Sequence, residues 1–151
     1  MTAHSTWASV YDFAYEQTFG PLYSHLTDMT IQTIQELVKP PCSVVNFGAG
    51  TGRLTIPLAQ LGYTVTAVEP CQEMMDVLLE KARQAELQTY ADVKRMQEFN
   101  APGKFDIALC LFTTVLYLVD DESLRNGLGA LTNALKPGGK LLIDVPSIHL
   151  F

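Results

Sequence analysis

Three glycines at alternate positions, Gly48, Gly50 and Gly52, follow the apolar run Val44-Val45-Asn46-Phe47 and precede an apolar helical pattern. Glycine lets a backbone turn sharply and lets a ligand reach peptide N–H groups with no Cβ in the way. The helix beyond such a corner offers unpaired N–H groups and a partial positive charge at its start. Strand, glycine corner and helix in that order form the basic nucleotide-cofactor site of α/β proteins. Glu69 closes the next apolar run, about 20 residues past the corner, where an acid can meet a pair of ribose hydroxyls. The dinucleotide fingerprint requires G-x-G-x-x-G, and Arg53 stands in the place of its third glycine. That spacing argues against a nicotinamide cofactor, which stays open as an alternative.

The elements that must position these residues are legible from periodicity. Aromatic residues crowd Thr6–Tyr15, Gly20-Pro21 interrupts them, and helical spacing runs from Leu22 to Val38 until Lys39-Pro40-Pro41 ends it. Ser43–Phe47 reads as a first strand, and a helix runs from Gly52 to Leu61 with Pro57 near its first turn. Thr64–Glu69 is a second, β-branched strand. Gln72–Glu86 is a helix with Met75, Leu78, Leu79 and Ala82 as its apolar stripe. A weaker third strand lies within Gln88–Met96, and Glu98–Lys104 is a loop or short helix. Phe105–Leu111 is an apolar run suited to a strand covered on both faces. Asp120–Leu135 is a helix capped by Asp120 or Asp121, Lys136-Pro137-Gly138-Gly139 turns the chain, and Lys140–Val145 is a fifth strand. Strands alternating with helices predict a three-layer, doubly wound, mostly parallel α/β sheet. The expected division is a helical cap over residues 1–41 and a core over 42–151.

Composition narrows the partners. The chain has 151 residues, enough for one domain with a real core, and 48% are hydrophobic. Its net charge of −6 gives no field for gathering phosphate backbones, so nucleic acid is not expected as a partner. Three cysteines without CxxC spacing fit reduced thiols and a cytoplasmic protein. No apolar run approaches the roughly 20 residues that span a bilayer, and the first residues lack the basic and apolar regions of a signal peptide. No HExxH, P-loop or cysteine–histidine spacing appears, so no metal is expected.

The string V-V-N-F-G-A-G-T-G-R, then A-V-E-P, F-D-I-A-L-C-L-F and L-K-P-G-G-K-L-L-I-D-V-P, resembles a class I S-adenosylmethionine-dependent methyltransferase. The resemblance covers nearly the whole chain, with its motifs in order. It implies a Rossmann-like core in which Gly48, Ala49 and Gly50 run under the methionine part of the cofactor, flanked by Phe47 and Arg53. It also implies that Glu69 holds both ribose hydroxyls and that Pro70 and Met74 pack near the adenine. Leu111 and Phe112 would line the donor site and face the acceptor. Counting back from Phe105 puts Arg95-Met96 at the family's adenine-contacting position after the third strand, with Asp92 standing earlier. Asn46 replaces the family's usual aspartate, keeping hydrogen bonds while dropping the charge. The segment S-V-Y-D-F-A-Y resembles the start of many small-molecule methyltransferases, where the tyrosine, here Tyr11, covers the cofactor.

The implied reaction is in-line methyl transfer to a small-molecule acceptor, for which the protein aligns the partners and excludes water. The alternative is a cofactor-binding module without turnover. An acceptor of high pKa also needs a base, and Asp144, His149, Tyr117 and Tyr11 are the candidates. The Asn-Pro-Pro-Tyr signature of nucleobase amino methyltransferases is replaced by L-F-T-T-V. The family's final antiparallel hairpin is not expected within this chain, which leaves Leu141–Val145 as an apolar edge able to form a homodimer.

Overall fold

The computed structural model describes residues 4–147; His149, one of the candidate bases, lies outside them. Five strands form one parallel sheet: β1 (Ser43–Phe47), β2 (Thr64–Val68), β3 (Tyr90–Asp92), β4 (Phe105–Cys110) and β5 (Leu135–Ile143). Their spatial order is β3-β2-β1-β4-β5. The order reverses between β1 and β4, and a crevice opens at the carboxyl ends of strands at such a switch point. The glycine corner leaves β1 at that place.

Helices cover both faces, giving the three layers that the alternating pattern predicts. Helix α2 (Pro21–Leu37) and α3 (Thr55–Gln60) bury Ile34, Leu54 and Leu58 against Val44, Val65, Ile107 and Leu109. Helix α4 (Gln72–Gln84) adds Met75 and Leu78 against Ala49 and Ala67. Opposite, α5 (Asp121–Asn133) and a 3-10 turn at Met96–Glu98 pack Leu131, Met96 and Phe99 on Val45, Phe47, Ala108 and Cys110. Burying each such side chain contributes about 1.5–3 kcal/mol, so this two-sided core holds the sheet and therefore the corner. Ahead of it, a 3-10 turn at Ala8–Val10 and helix α1 (Tyr11–Phe19) lie against α4 through Ala8, Tyr11, Cys71 and Met74.

Several boundaries differ from expectation for physical reasons. Helix α3 begins at Thr55, after the glycine turn has used Gly52–Leu54, so Pro57 falls in its first turn, where no helical N–H is needed. In α4 the buried stripe includes Met74, whereas Leu79 is 38% exposed. Asp120 is the N-cap of α5 and accepts from the Ser123 amide at 2.7 Å. The Lys-Pro-Gly-Gly stretch is a bulge inside β5: Leu135 already pairs with Phe105, and the register resumes at Ile107 and Lys140.

Candidate cofactor site

The corner is built by its glycines. Gly48, Gly50 and Gly52 have φ of +68°, +55° and +94°, where side chains are disfavoured. The amides of Gly48 and Ala49 donate to the Val68 carbonyl at 2.9 and 3.2 Å, which fastens the turn to the end of β2. A Cβ on Gly48 would lie 2.4 Å from Thr114 Oγ1, whereas one on Gly50 would meet nothing within 4 Å. Gly50 therefore faces open space over the turn.

Glu69 sits beside that space, immediately beyond β2, and is 6% exposed. Its Oε2 accepts from the Gly50 amide at 2.9 Å and its Oε1 from the Cys71 amide at 3.0 Å. Burial raises its pKa above the ordinary value; the two amides and the nearby His4 oppose the rise. A carboxylate has about four acceptor positions, so two amide bonds leave it able to take further donors. Asn46, 4% exposed, donates from Nδ2 to Thr55 Oγ1 at 3.2 Å and so ties β1 to α3 beneath the corner.

An aromatic cap covers this region. Tyr11 stacks on Tyr15 at 4.4 Å between ring centres and meets Trp7 at 5.0 Å. His4 Nε2 and the Tyr117 hydroxyl are 2.8 Å apart, which joins the first described residues to the loop after β4. Burial raises the pKa of Tyr11 and Tyr117, so both phenols are neutral at physiological pH and neither is suited to act as a base. Asp12 fastens the cap to the corner, accepting from Thr51 Oγ1 at 2.6 Å and from Lys81 of α4. Lys81 in turn donates to the Thr51 carbonyl at 2.9 Å.

Arg53 faces outward from the corner. Its guanidinium lies between the rings of Tyr23 and Phe112, 3.8 and 3.7 Å from their centres. It donates to the Tyr23 carbonyl and to Thr27 Oγ1, both at 2.7 Å. With Asp12, Glu16 and Lys81 it lines a cleft of about 420 Å³ between the cap and the corner.

The structure gathers Tyr11, Gly48, Ala49, Gly50, Arg53, Glu69, Met74 and Phe112 at the switch point, with Met74 buried beneath the cap and Pro70 exposed beside Glu69. Leu111 packs inward with Val44 and Ile107. Three expected residues are corrected. Phe47 turns its side chain into the core, edge-on to Phe99, because the alternation of β1 points it there. Met96 is a core residue under α5, and Arg95 is exposed in a separate shallow cleft with Asp120 and Asn126. The acid that ends β3 is Asp92: Val68 pairs with it, and its carbonyl accepts from the Glu69 amide at 3.2 Å. Asp144 is also unlike a free base, since both carboxylate oxygens receive backbone amides. Asp12 and His4 escaped the sequence reading; the tyrosine–aspartate pair at the head of α1 was the one available signal for Asp12.

A sequence model described as a methyltransferase domain matches residues 44–139. The chain belongs to this methyltransferase-domain family. The matched segment of the methyltransferase domain runs from β1 through the glycines of the β5 bulge, so it contains the corner and Glu69. An uncharacterized methyltransferase of Bacillus cytotoxicus is 28% identical over 137 residues, covering 90% of this chain and 62% of its own length. The crystal structure of an S-adenosylmethionine-dependent methyltransferase from Clostridium acetobutylicum matches with a TM-score of 0.74 and 25% identity, over 91% of this chain and 55% of that one. CalS10, an amino pentose methyltransferase from Micromonospora echinaspora solved with S-adenosylmethionine bound, matches with a TM-score of 0.71 and 25% identity, over 87% and 54%. The chain spans about half the length of the curated relatives it matches. Among the described residues no helix is long and apolar enough to cross a membrane.

Proposed function

We propose that the chain binds S-adenosylmethionine at the β1–β4 switch point and serves methyl transfer to a small-molecule acceptor. The observation that carries this reading is Glu69: a buried carboxylate at the end of β2, fixed by two amides, beside a glycine cradle that a Cβ would fill. The residues present fit the cofactor. Gly48–Gly50 leave backbone open to its methionine part, Glu69 has acceptor positions for ribose hydroxyls, and Tyr11 and Met74 offer apolar cover near Pro70. Bound there, the cofactor supplies a methyl group on a sulfonium, a carbon already activated for in-line displacement.

The chain's own residues then have defined tasks. Glu69 orients the cofactor through its ribose. Asn46 stiffens the strand end below the corner. The cap of Trp7, Tyr11 and Tyr15 excludes water, which strengthens the polar contacts beneath it. Phe112, beside Arg53, forms the wall toward the acceptor, while Leu111 packs into the core behind it. Residues 1–41 act as the cap and 42–151 as the donor-binding core. The net charge of −6 and the amino pentose acted on by CalS10 support a small acceptor. Three free cysteines support a cytoplasmic setting.

Calorimetry with S-adenosylhomocysteine and, separately, a nicotinamide dinucleotide tests the reading. Binding of the first is expected; binding of the second alone refutes it. A panel of small acceptors then separates turnover from a module that only binds. The β5 edge supports a homodimer through Leu141–Val145, and light scattering showing a monomer at high concentration would remove that part.

A further inference from the structure

Two consecutive residues after β4, Phe112 and Thr113, hold φ of +56° and +63°, and neither is glycine. Such left-handed residues are strained and persist only where surrounding structure enforces them. A β-branched threonine is among the least suited to that region. One side chain takes the amides of both residues. Asp144, immediately past β5, accepts from the Phe112 amide at 2.6 Å and from the Thr113 amide at 2.9 Å, one bond to each oxygen. The Asp144 amide donates to the Cys110 carbonyl at 3.2 Å, so the carboxylate is held in place by the β4–β5 ladder. Consecutive amides converging on one anion make a compact, charge-assisted clamp.

The clamped turn reaches the donor site on two sides. Phe112 lays its ring on the Arg53 guanidinium, whose other face carries Tyr23 of α2. Thr114, the next residue, fills the space where a Gly48 side chain would stand, and its hydroxyl donates to the Leu111 carbonyl at 2.7 Å. The turn is thereby the piece that joins the end of β5 to the glycine corner and to the cap.

We propose that Asp144 is a positioning residue that holds the strained Phe112–Thr113 turn, and through Phe112 and Thr114 sets the wall of the donor site. This rests on the reading of the corner as an S-adenosylmethionine site.

Native-state hydrogen exchange on the unaltered chain reads the clamp directly. The Thr113 amide is expected to be protected although the residue is exposed. Fast exchange at both Phe112 and Thr113 overturns the proposal, whatever the cofactor. Asp144→Asn keeps one acceptor and presents an N–H to the other amide, so it should lose protection at one of Phe112 and Thr113 and weaken S-adenosylhomocysteine binding roughly tenfold to a hundredfold. Adding Thr113→Gly relieves one of the two left-handed residues, so the double variant should recover part of the affinity. Affinity unchanged in Asp144→Asn, or a loss that glycine does nothing to restore, refutes the proposal. Phe112→Leu keeps the clamp but takes the ring from Arg53. It should weaken binding with exchange protection intact, and unchanged affinity would break the link from turn to site even if Asp144→Asn does not fold. Failure of the unaltered chain to bind S-adenosylhomocysteine would instead sink the cofactor reading, leaving the exchange result to judge the clamp alone.

Discussion

Replacing Glu69 by glutamine keeps the shape of the side chain and removes its charge. In the structure both oxygens accept backbone amides, from Gly50 at 2.9 Å and Cys71 at 3.0 Å. Glutamine retains one acceptor and turns a donor toward the other amide. An unmatched buried donor costs about 1–3 kcal/mol, offset in part because a buried charge disappears with it. The fold should therefore lose about 1 kcal/mol or less. Ribose hydroxyls lose more. Each bond to a charged acceptor contributes about 1.5–3 kcal/mol, and losing about 3 kcal/mol in total weakens binding roughly a hundredfold. The pH dependence sharpens the test. Burial raises the pKa of Glu69 in the folded chain. Its contribution to stability is fully present below the unfolded value and is lost as pH rises through the folded one. Ligand binding needs the charged form, so affinity should fall as pH drops through the same raised value. The Glu69 contributions to stability and affinity thus slope in opposite directions in the unaltered chain, and both contributions should vanish in Glu69→Gln. Calorimetric titration with S-adenosylhomocysteine across mildly acidic pH, alongside thermal melts, measures both. A Glu69→Gln chain that binds within about threefold of the unaltered one, or keeps the acid limb, refutes the assignment.

Other perturbations separate the corner, the cap and the sheet. Gly48→Ala puts a Cβ 2.4 Å from Thr114 at φ +68° and should cost about 2–4 kcal/mol by urea unfolding. Gly50→Ala meets no atom within 4 Å, so it should cost only about 1–2 kcal/mol while blocking the cradle; normal S-adenosylhomocysteine binding would refute the cradle. Asp12→Asn weakens the hold on Thr51 and Lys81, with an expected loss of about 1 kcal/mol and a red shift of emission from Trp7, the single tryptophan. Unchanged emission and melting would show that Asp12 does not hold the cap. Asp106 is held down to about 2 by Lys136 and by the amide and hydroxyl of Ser43. Its stabilisation is present above the unfolded carboxyl range and lost as pH falls through about 2, so Asp106→Asn should cost about 1 kcal/mol at neutral pH and much less near pH 2.

What the sequence discloses here follows from how far each signal travels along the chain. Strands covered on both faces must be apolar throughout, so β1 is legible to the residue and β4 nearly so. The glycine corner is legible because three positive-φ positions leave no other economical residue type. β3 is three residues long with Tyr90 and Ala91 exposed, so it carries no burial pattern, and counting back from β4 stopped short of Asp92. Pro137 and two glycines carry the chemistry of a turn, yet a bulge uses the same residues, and only pairing with Phe105 distinguishes the two. The contacts that close the site are longer in range still: His4 meets Tyr117, and Asp12 meets Lys81. Phe112 and Thr113 are the extreme case. Nothing in either residue type announces a left-handed backbone, because the conformation is imposed by a carboxylate thirty-odd positions away. Asp144 thus resembled a base from sequence, a lone acid near the acceptor side. With both of its oxygens spent on backbone amides, the same acid becomes the reason why the wall beside Arg53 has a fixed shape.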